Sequence, residues 1–193
     1  EHFSYFSLHT VRDIFAAHGL TVFDIDEIST HGGSLRIYAQ HTEQKPTQCK
    51  LMTKVLQHEK DAGLCSIETY TQFQKNVQKT KRALLSFLID AKNNGQTIVG
   101  YGAAAKGNTL LNYCGIRNDF IDYVVDKNPH KQGRFLPGTH IPIHTPEKIF
   151  ETKPHYVLIL PWNIQEEVIS QMSMVRSWGG QFVVPIPEVK VLA

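Results

Sequence analysis

The stretch Ile98-Val-Gly-Tyr-Gly-Ala-Ala-Ala-Lys-Gly-Asn-Thr-Leu-Leu111 decides how this chain is read. Apolar residues run into glycines, and a helix-forming run follows at once. That is the layout of a strand, a tight turn and a helix N-terminus aimed at a ligand. Glycines let the backbone come close, and the first helical N–H groups with the macrodipole favour an anion such as a phosphate. Lys106 adds a positive charge at that point. The order is Gly100, Gly102, then Gly107, so the motif is neither a strict G-x-G-x-x-G nor a Walker loop. Two readings stay open on the pattern alone: a phosphate-bearing ligand, or a plain helix–strand packing turn.

Downstream, strands and helices alternate. Strands are expected at 97–101, 120–125, 156–160 and 181–185, and helices at 106–113, 146–150 and 164–178. Residues 128–143 are rich in Pro, Gly and His and read as a long loop with a short extended piece. A continuous apolar run such as Val157-Leu-Ile-Leu160 suits a strand buried on both faces, hence a parallel sheet. Right-handed crossovers then give an α/β fold, a small Rossmann-like parallel sheet with flanking helices.

In such a sheet, ligands lie beyond the carboxyl ends of the strands. Three segments meet there. The first holds Gly100, Gly102, Lys106, Gly107 and Asn108. The second is Val125-Asp-Lys-Asn128, where Asp126 either accepts hydrogen bonds from a ribose or supports its own turn. The third is Leu160-Pro-Trp-Asn163, where Trp162 can stack on a base or sugar and Asn163 is the expected N-cap of the next helix. The spacing from the glycines to Asp126 is roughly that of a dinucleotide fold. Four expected strands make a small sheet for NAD, so a mononucleotide or nucleotide sugar suits the size better.

Upstream, residues 8–18 read as a short amphipathic helix with Val11, Ile14 and Phe15 on one face and Gly19 as its stop. Residues 20–28 and 35–39 alternate around His31-Gly-Gly-Ser34, which predicts an antiparallel hairpin. Residues 42–48 are polar, contain Pro46 and form a candidate linker. A helical region at 49–62 precedes a longer helix opened by Ser66, with an apolar stripe that includes Ile67, Tyr70, Phe73, Leu84 and Leu88. That helix is expected to connect and pack. The resulting division is 1–45, 46–95 and 96–193.

Hydrophobic residues make up 41% and charged residues 20% of the 193, an ordinary globular balance. A net charge of +2, with basic residues scattered, argues against a nucleic-acid partner. No apolar run is long enough for a bilayer span, so no membrane partner is expected. No secretory leader is visible. Cys49, Cys65 and Cys114 form no C-x-x-C pair, which points away from a disulfide framework and towards the cytoplasm. His140, His144 and His155 have no tight ligand spacing, so no metal site is expected. The start, Glu1-His-Phe-Ser-Tyr-Phe-Ser7, lacks a methionine, and the chain is expected to enter mid-domain. An imidazole exchanges protons near neutral pH, and a carboxylate beside it can orient it. Glu1 and His2 are therefore either functional or exposed bystanders. His31 is either functional or a solvated turn residue. Arg36 is either functional or paired with a nearby carboxylate.

Together these pieces resemble the S-adenosylmethionine-dependent sugar C-methyltransferases that act on nucleotide-linked keto-deoxysugars. The resemblance rests on Glu1-His-Phe-Ser-Tyr-Phe-Ser7, on His31-Gly-Gly-Ser-Leu-Arg36, and on Gly100-Tyr-Gly-Ala-Ala-Ala-Lys-Gly-Asn-Thr109 with Leu110-Leu-Asn-Tyr-Cys-Gly115. It runs through most of the chain. Members of that family join a small zinc-binding N-terminal module, a class I methyltransferase domain and a C-terminal Rossmann-like domain. The resemblance implies that this chain is the last part, preceded by a helix and β-hairpin remnant of the methyltransferase domain. Zinc is then expected only in the missing N-terminal module. The S-adenosylmethionine pocket would lie upstream, so the glycine loop at 100–109 is not the donor site.

The implied chemistry removes the proton alpha to a sugar ketone and then methylates the resulting enolate carbon. By motif match His2 is the base, and Glu1 orients it or touches substrate. Gly102, Lys106, Gly107 and Asn108 would help close the sugar-nucleotide cleft. The implied partners are a nucleotide-sugar substrate and the missing N-terminal methyltransferase half, with a homo-oligomer left open. The isolated chain is expected to be inactive. Two rival readings remain: a stand-alone nucleotide- or NAD(P)-binding module, and a structural or assembly domain.

Overall fold

The computed structural model describes residues 4–30, 33–44 and 49–192. The chain divides into two compact units, one ending at Lys75 and the other beginning at Asn76. The division falls inside a long helix, α3 (Ile67–Asn93).

The first unit contains α1 (Leu8–Ala17), β1 (Leu20–Ile28), β2 (Ser34–His41) and α2 (Lys50–Asp61). Ser7 caps α1 by accepting the Thr10 N–H at 3.2 Å. The Glu59 carboxylate, from α2, accepts the Leu8 and His9 N–H groups at 2.5 and 2.9 Å. A negative charge at a helix N-terminus also complements the macrodipole. Gly19 ends the helix at φ +72°. The hairpin is antiparallel with Ile25 opposite Ile37, and its register shifts between Val22 and Asp24. It reaches His41, because that residue still pairs with Leu20. Leu8, Val22, Ile25, Met52 and Val55 form the buried core of this unit.

The second unit is built on one six-stranded sheet, in the order β5-β4-β3-β6-β7-β8. Strands β3 (Ile98–Tyr101), β4 (Val124–Val125), β5 (Ile143–His144), β6 (Tyr156–Ile159) and β7 (Gln181–Val184) run parallel. Strand β8 (Lys190–Leu192) returns antiparallel on β7. The α/β, Rossmann-like reading therefore holds, with two strands more than the four expected. β5 starts at the last residue of the loop expected at 128–143 and runs one residue beyond it. β8 is a three-residue strand behind a Pro-rich turn, too short to show a period.

Three further expectations need correction. The strand expected at 120–125 contracts to Val124–Val125, because the Phe120 and Ile121 N–H groups turn back to the Arg117 carbonyl, both at 3.1 Å. The helix expected at 164–178 is two pieces, α6 (Gln165–Gln171) and a 3₁₀ segment Ser173–Trp178. Met172, at φ −103° and ψ 20°, interrupts the helical path between them. The cap position of α6 is Ile164, so Asn163 does not cap it.

Helices cover both sheet faces. Leu84 and Leu88 of α3, with Leu111 of α4 (Ala105–Cys114), pack with Ile98, Val124 and Leu158. Ile149 of α5 (Glu147–Thr152) and Val168 of α6 pack with Val99, Val157 and Phe182. Neighbouring residues of one strand enter opposite cores, which is why these strands are apolar throughout rather than alternating. The chain leaves β3 for β4 on one side, and leaves β6, on the other side of β3, for β7. The crevice between the carboxyl ends of β3 and β6 is thus the topological switch point, where open α/β sheets hold their ligands. Among the described residues, no helix is long and apolar enough to cross a membrane.

Candidate functional site

The glycine loop lies at that switch point, and its glycines answer first to packing. Gly102 adopts φ +88°, and a side chain there would come within 2.6 Å of Pro161 Cδ. A Cβ on Gly107 would stand 2.5 Å from Leu160 Cβ, so only a glycine lets α4 rest against the end of β6. Gly100 is buried in β3 beside Val124. The packing-turn reading accounts for these three without a ligand. The start of α4 is different: Ala104 occupies the cap position and no side chain caps the helix. Helix N-terminal N–H groups lack intrahelical partners, so the first turn of α4 keeps its capacity for an acceptor.

The β4 flank is closed on itself. Asp126 ends β4, and its side chain is 13% exposed. Its Oδ2 accepts the Ala103 N–H at 2.7 Å and the Lys131 ammonium at 3.1 Å, and its Oδ1 accepts the Asn128 N–H at 2.8 Å. Lys131 also donates to the Ala103 carbonyl at 2.9 Å. The N–H that would greet an anion and the carboxylate that would greet a ribose thus meet partners from within the chain. A dinucleotide or methyl donor laid in this loop would have to displace them, so the loop does not fit either as built.

The β6 flank is open. Trp162 and Asn163 lie in a 3₁₀ turn directly after β6. Trp162 is half-buried and packs against both cores. The Lys106 ammonium sits 5.1 Å from the centre of its ring and donates to Asn163 Oδ1. This is cation–π geometry with a polar anchor. Lys106 and Trp162, named separately from the sequence, come together here. Asn108 lies one turn along α4, and its buried Oδ1 has no hydrogen-bond partner in the structure.

Three residues that the sequence reading did not single out complete the surroundings. Lys131 sits in the irregular loop, where no period marks it. Tyr101, at the end of β3, is 5% exposed, and its hydroxyl donates to Gln171 Oε1 at 3.4 Å. Burial pushes the Tyr101 phenol above its ordinary range, and the negative charges of Asp126 and Glu167 add to the effect. Gln171 also receives a hydrogen bond from the Lys127 ammonium.

Glu1, His2 and His31 are outside the described residues. Arg36, in the first unit, has its guanidinium 3.8 Å from Asp26 Oδ2, which also accepts the Tyr38 hydroxyl at 2.6 Å. Among the described residues, no group of three or more His, Cys, Asp or Glu is placed to hold a metal ion.

The sequence also matches known proteins. The C-methyltransferase C-terminal domain family matches residues 29–187, a span that takes in the glycine loop and both of its flanks. The chain is 35% identical, over all of its 193 residues, to the C-methyltransferase NovU of Streptomyces niveus. It covers 46% of that protein, and so spans about half the length of the curated relative it matches. With a family match over most of its length, joined to a Rossmann-like sheet of the expected kind, this chain belongs to the C-methyltransferase C-terminal domain family.

Proposed function

We propose that this chain is the acceptor-side portion of an S-adenosylmethionine-dependent C-methyltransferase whose substrate is a nucleotide-linked keto sugar. The observation that carries the proposal is the family match over 29–187, because it covers the switch-point crevice. The Lys106–Trp162–Asn163 face supports it. An aromatic ring beside an ammonium suits a base or sugar joined to a diphosphate, and the uncapped start of α4 favours the same negative charge.

In this proposal the reaction needs a base for the proton alpha to the ketone, and His2 supplies it with Glu1 as its orienting partner. The methyl donor supplies the electrophilic carbon from a pocket formed by other parts of the parent enzyme. Lys106, Trp162 and the first turn of α4 bind the nucleotide end and orient the sugar. Asp126 shapes the loop from beneath rather than holding a ribose. The isolated chain would then bind substrate analogues without turning over.

A thermal-shift panel on this chain tests the proposal. Nucleoside diphosphates and nucleotide sugars are expected to raise the melting temperature, while NAD, NADP and S-adenosylmethionine leave it unchanged. A shift with NAD alone would favour the stand-alone dinucleotide module. A flat panel, with self-association on sizing at several concentrations, would favour the assembly domain. Stoichiometric binding of S-adenosylmethionine in a calorimeter would overturn the acceptor-side assignment.

A further inference from the structure

We infer that Lys131 is a positioning residue that locks the glycine loop and thereby sets where Lys106 stands. The Ala103 peptide is held at both ends. Its N–H donates to Asp126 Oδ2 at 2.7 Å, and its carbonyl accepts from Lys131 Nζ at 2.9 Å. The same ammonium donates to Asp126 Oδ2 at 3.1 Å, which closes a ring of three contacts around one peptide group. Charge-assisted hydrogen bonds are roughly twice as strong as neutral ones, so this ring is a firm grip for a loop.

The segment that carries Lys131 is folded to deliver it. The Asn128 N–H donates to Asp126 Oδ1 at 2.8 Å, the His130 N–H to Asn128 Oδ1 at 3.0 Å, and the Lys131 N–H to the Asn128 carbonyl at 3.0 Å. Gln132 Nε2 donates to the Asp126 carbonyl at 2.9 Å. Residues 126–132 therefore wind round Asp126 and send the Lys131 side chain back across the strand ends. In a dinucleotide fold the acidic residue in this place accepts from ribose hydroxyls. Here an internal ammonium takes the donor's place.

The grip matters because it adds a side-chain tie on the flank where the Gly102 N–H already donates to the Val125 carbonyl at 2.7 Å, and together they set the start of α4. The helix has no side-chain cap. Pro161 bounds the loop at Gly102, and the Asp126–Lys131 pair bounds it at Ala103. Lys106 follows only three residues after Ala103. Its contacts with Trp162 and Asn163 depend on where the loop sets the first turn of α4.

The inference rests on the proposed role of Lys106 for its functional meaning, but not for its geometry, and the test separates the two. Lys131 is 41% exposed at its side chain, so Lys131→Met is expected to fold. In the isotopically labelled chain, the Ala103 amide should exchange with solvent about tenfold faster in Lys131→Met, because local opening sets its protection. Amides of β6 should be unchanged. The Trp162 indole resonance should shift while that of Trp178, bonded to the Pro154 carbonyl at 3.1 Å, stays in place. Lys131→Arg, which keeps the charge, should restore both signals in part, and Asp126→Asn should reproduce the loss. Unchanged Ala103 exchange in Lys131→Met would overturn the lock. Faster exchange with an unmoved Trp162 indole would overturn its reach to Lys106. The separate arm is binding of whichever of adenosine, guanosine, cytidine, uridine and thymidine diphosphate raises the wild-type melting temperature most. If the wild-type chain binds it, Lys131→Met should weaken it about as much as Lys106→Met does, and an unweakened variant counts against positioning. If the wild-type chain binds none of them, the proposed function fails while the exchange and indole signals still judge the lock.

Discussion

The two flanks of the β3 strand end are made from similar material and do different work. On the β4 side, an acidic residue, a lysine and a backbone peptide satisfy one another, and the carboxylate is 13% exposed. On the β6 side, a lysine, a tryptophan and an asparagine meet at a half-open surface. The lesson is that a charged residue after a strand is not in itself a ligand-binding residue. What separates the cases is whether the chain supplies the partner. Asp126 finds donors on three residues, whereas the ammonium of Lys106 finds one amide oxygen and an aromatic face.

The largest expected effect comes from breaking what both flanks share. Gly107 lets α4 lie on Leu160, and a Cβ there would meet Leu160 Cβ at 2.5 Å and its Cα at 3.4 Å. Neither atom is the free end of a flexible side chain, so the neighbour cannot simply swing away. Gly107→Val should destabilise the second unit by about 2–3 kcal/mol, the upper part of the range for overpacking. Urea denaturation followed by the tryptophan signals would measure it. A variant as stable as wild type would mean that α4 is not seated as described, and the contrast between the flanks would lose its footing.

A pair of substitutions then sharpens the contrast directly. Asp126→Ala removes the acceptor of two backbone N–H groups and one ammonium. Hydrogen bonds to charged groups contribute about 1.5–3 kcal/mol, so a loss of about 2 kcal/mol in folding stability is expected. Lys106→Met keeps the stem over the ring and removes a half-buried charge together with its cation–π contact and its bond to Asn163. Its stability should fall by no more than about 1 kcal/mol, the scale of a cation–π contact at a solvent-reached site. Nucleoside diphosphate affinity should move the other way round in the pair, falling about tenfold or more in Lys106→Met. Equal stability losses for the two would erase the distinction between a structural flank and a binding flank.

How far this was legible from sequence follows the same line. Val157-Leu-Ile-Leu160 announced a strand buried on both faces, and Gly19 and the alternation at 20–28 announced the hairpin. Those signals are local, set by burial and backbone chemistry within a few residues. The glycine loop was located correctly, yet its two readings could not be separated. Choosing between them required Leu160 and Pro161, which approach Gly107 and Gly102 only in the folded sheet. Lys131 was invisible because its partner peptide lies 28 residues away along the chain. The Asn163 cap failed for a related reason: Ile164 takes the cap position, and the Asn163 side chain is engaged by Lys106. The strand expected at 120–125 failed because the apolar Phe120 and Ile121 belong to a turn on Arg117. Apolar character there reports burial, and Ile121 is fully buried without being in a strand.

The smallest effect probes whether the charge of the β4 flank reaches the core. Tyr101 is buried, and its phenol is raised above the ordinary value of about 10, by burial first and then by Asp126 and Glu167. In the unfolded chain the phenol ionises at its ordinary value. Above pH 10 the unfolded state therefore binds fewer protons than the folded one, and stability falls as pH rises. Below pH 10 both states keep the proton and the contribution is constant. Tyr101→Phe removes the group, so relative to wild type it should gain stability only above pH 10, with no such gain at neutral pH. Tyr123 is also raised by burial and stays in place in both proteins, so it cancels in the comparison. In an Asp126→Asn background the gain should shrink, because part of the elevation came from that carboxylate. In a Lys106→Met background it should persist, since Lys106 is not among the charges acting on Tyr101. Denaturant titrations at pH 8 and pH 11 on the six proteins, each of the three backgrounds with and without Tyr101→Phe, would decide it. A gain that shrank equally in both backgrounds would show that the two flanks are electrostatically one site.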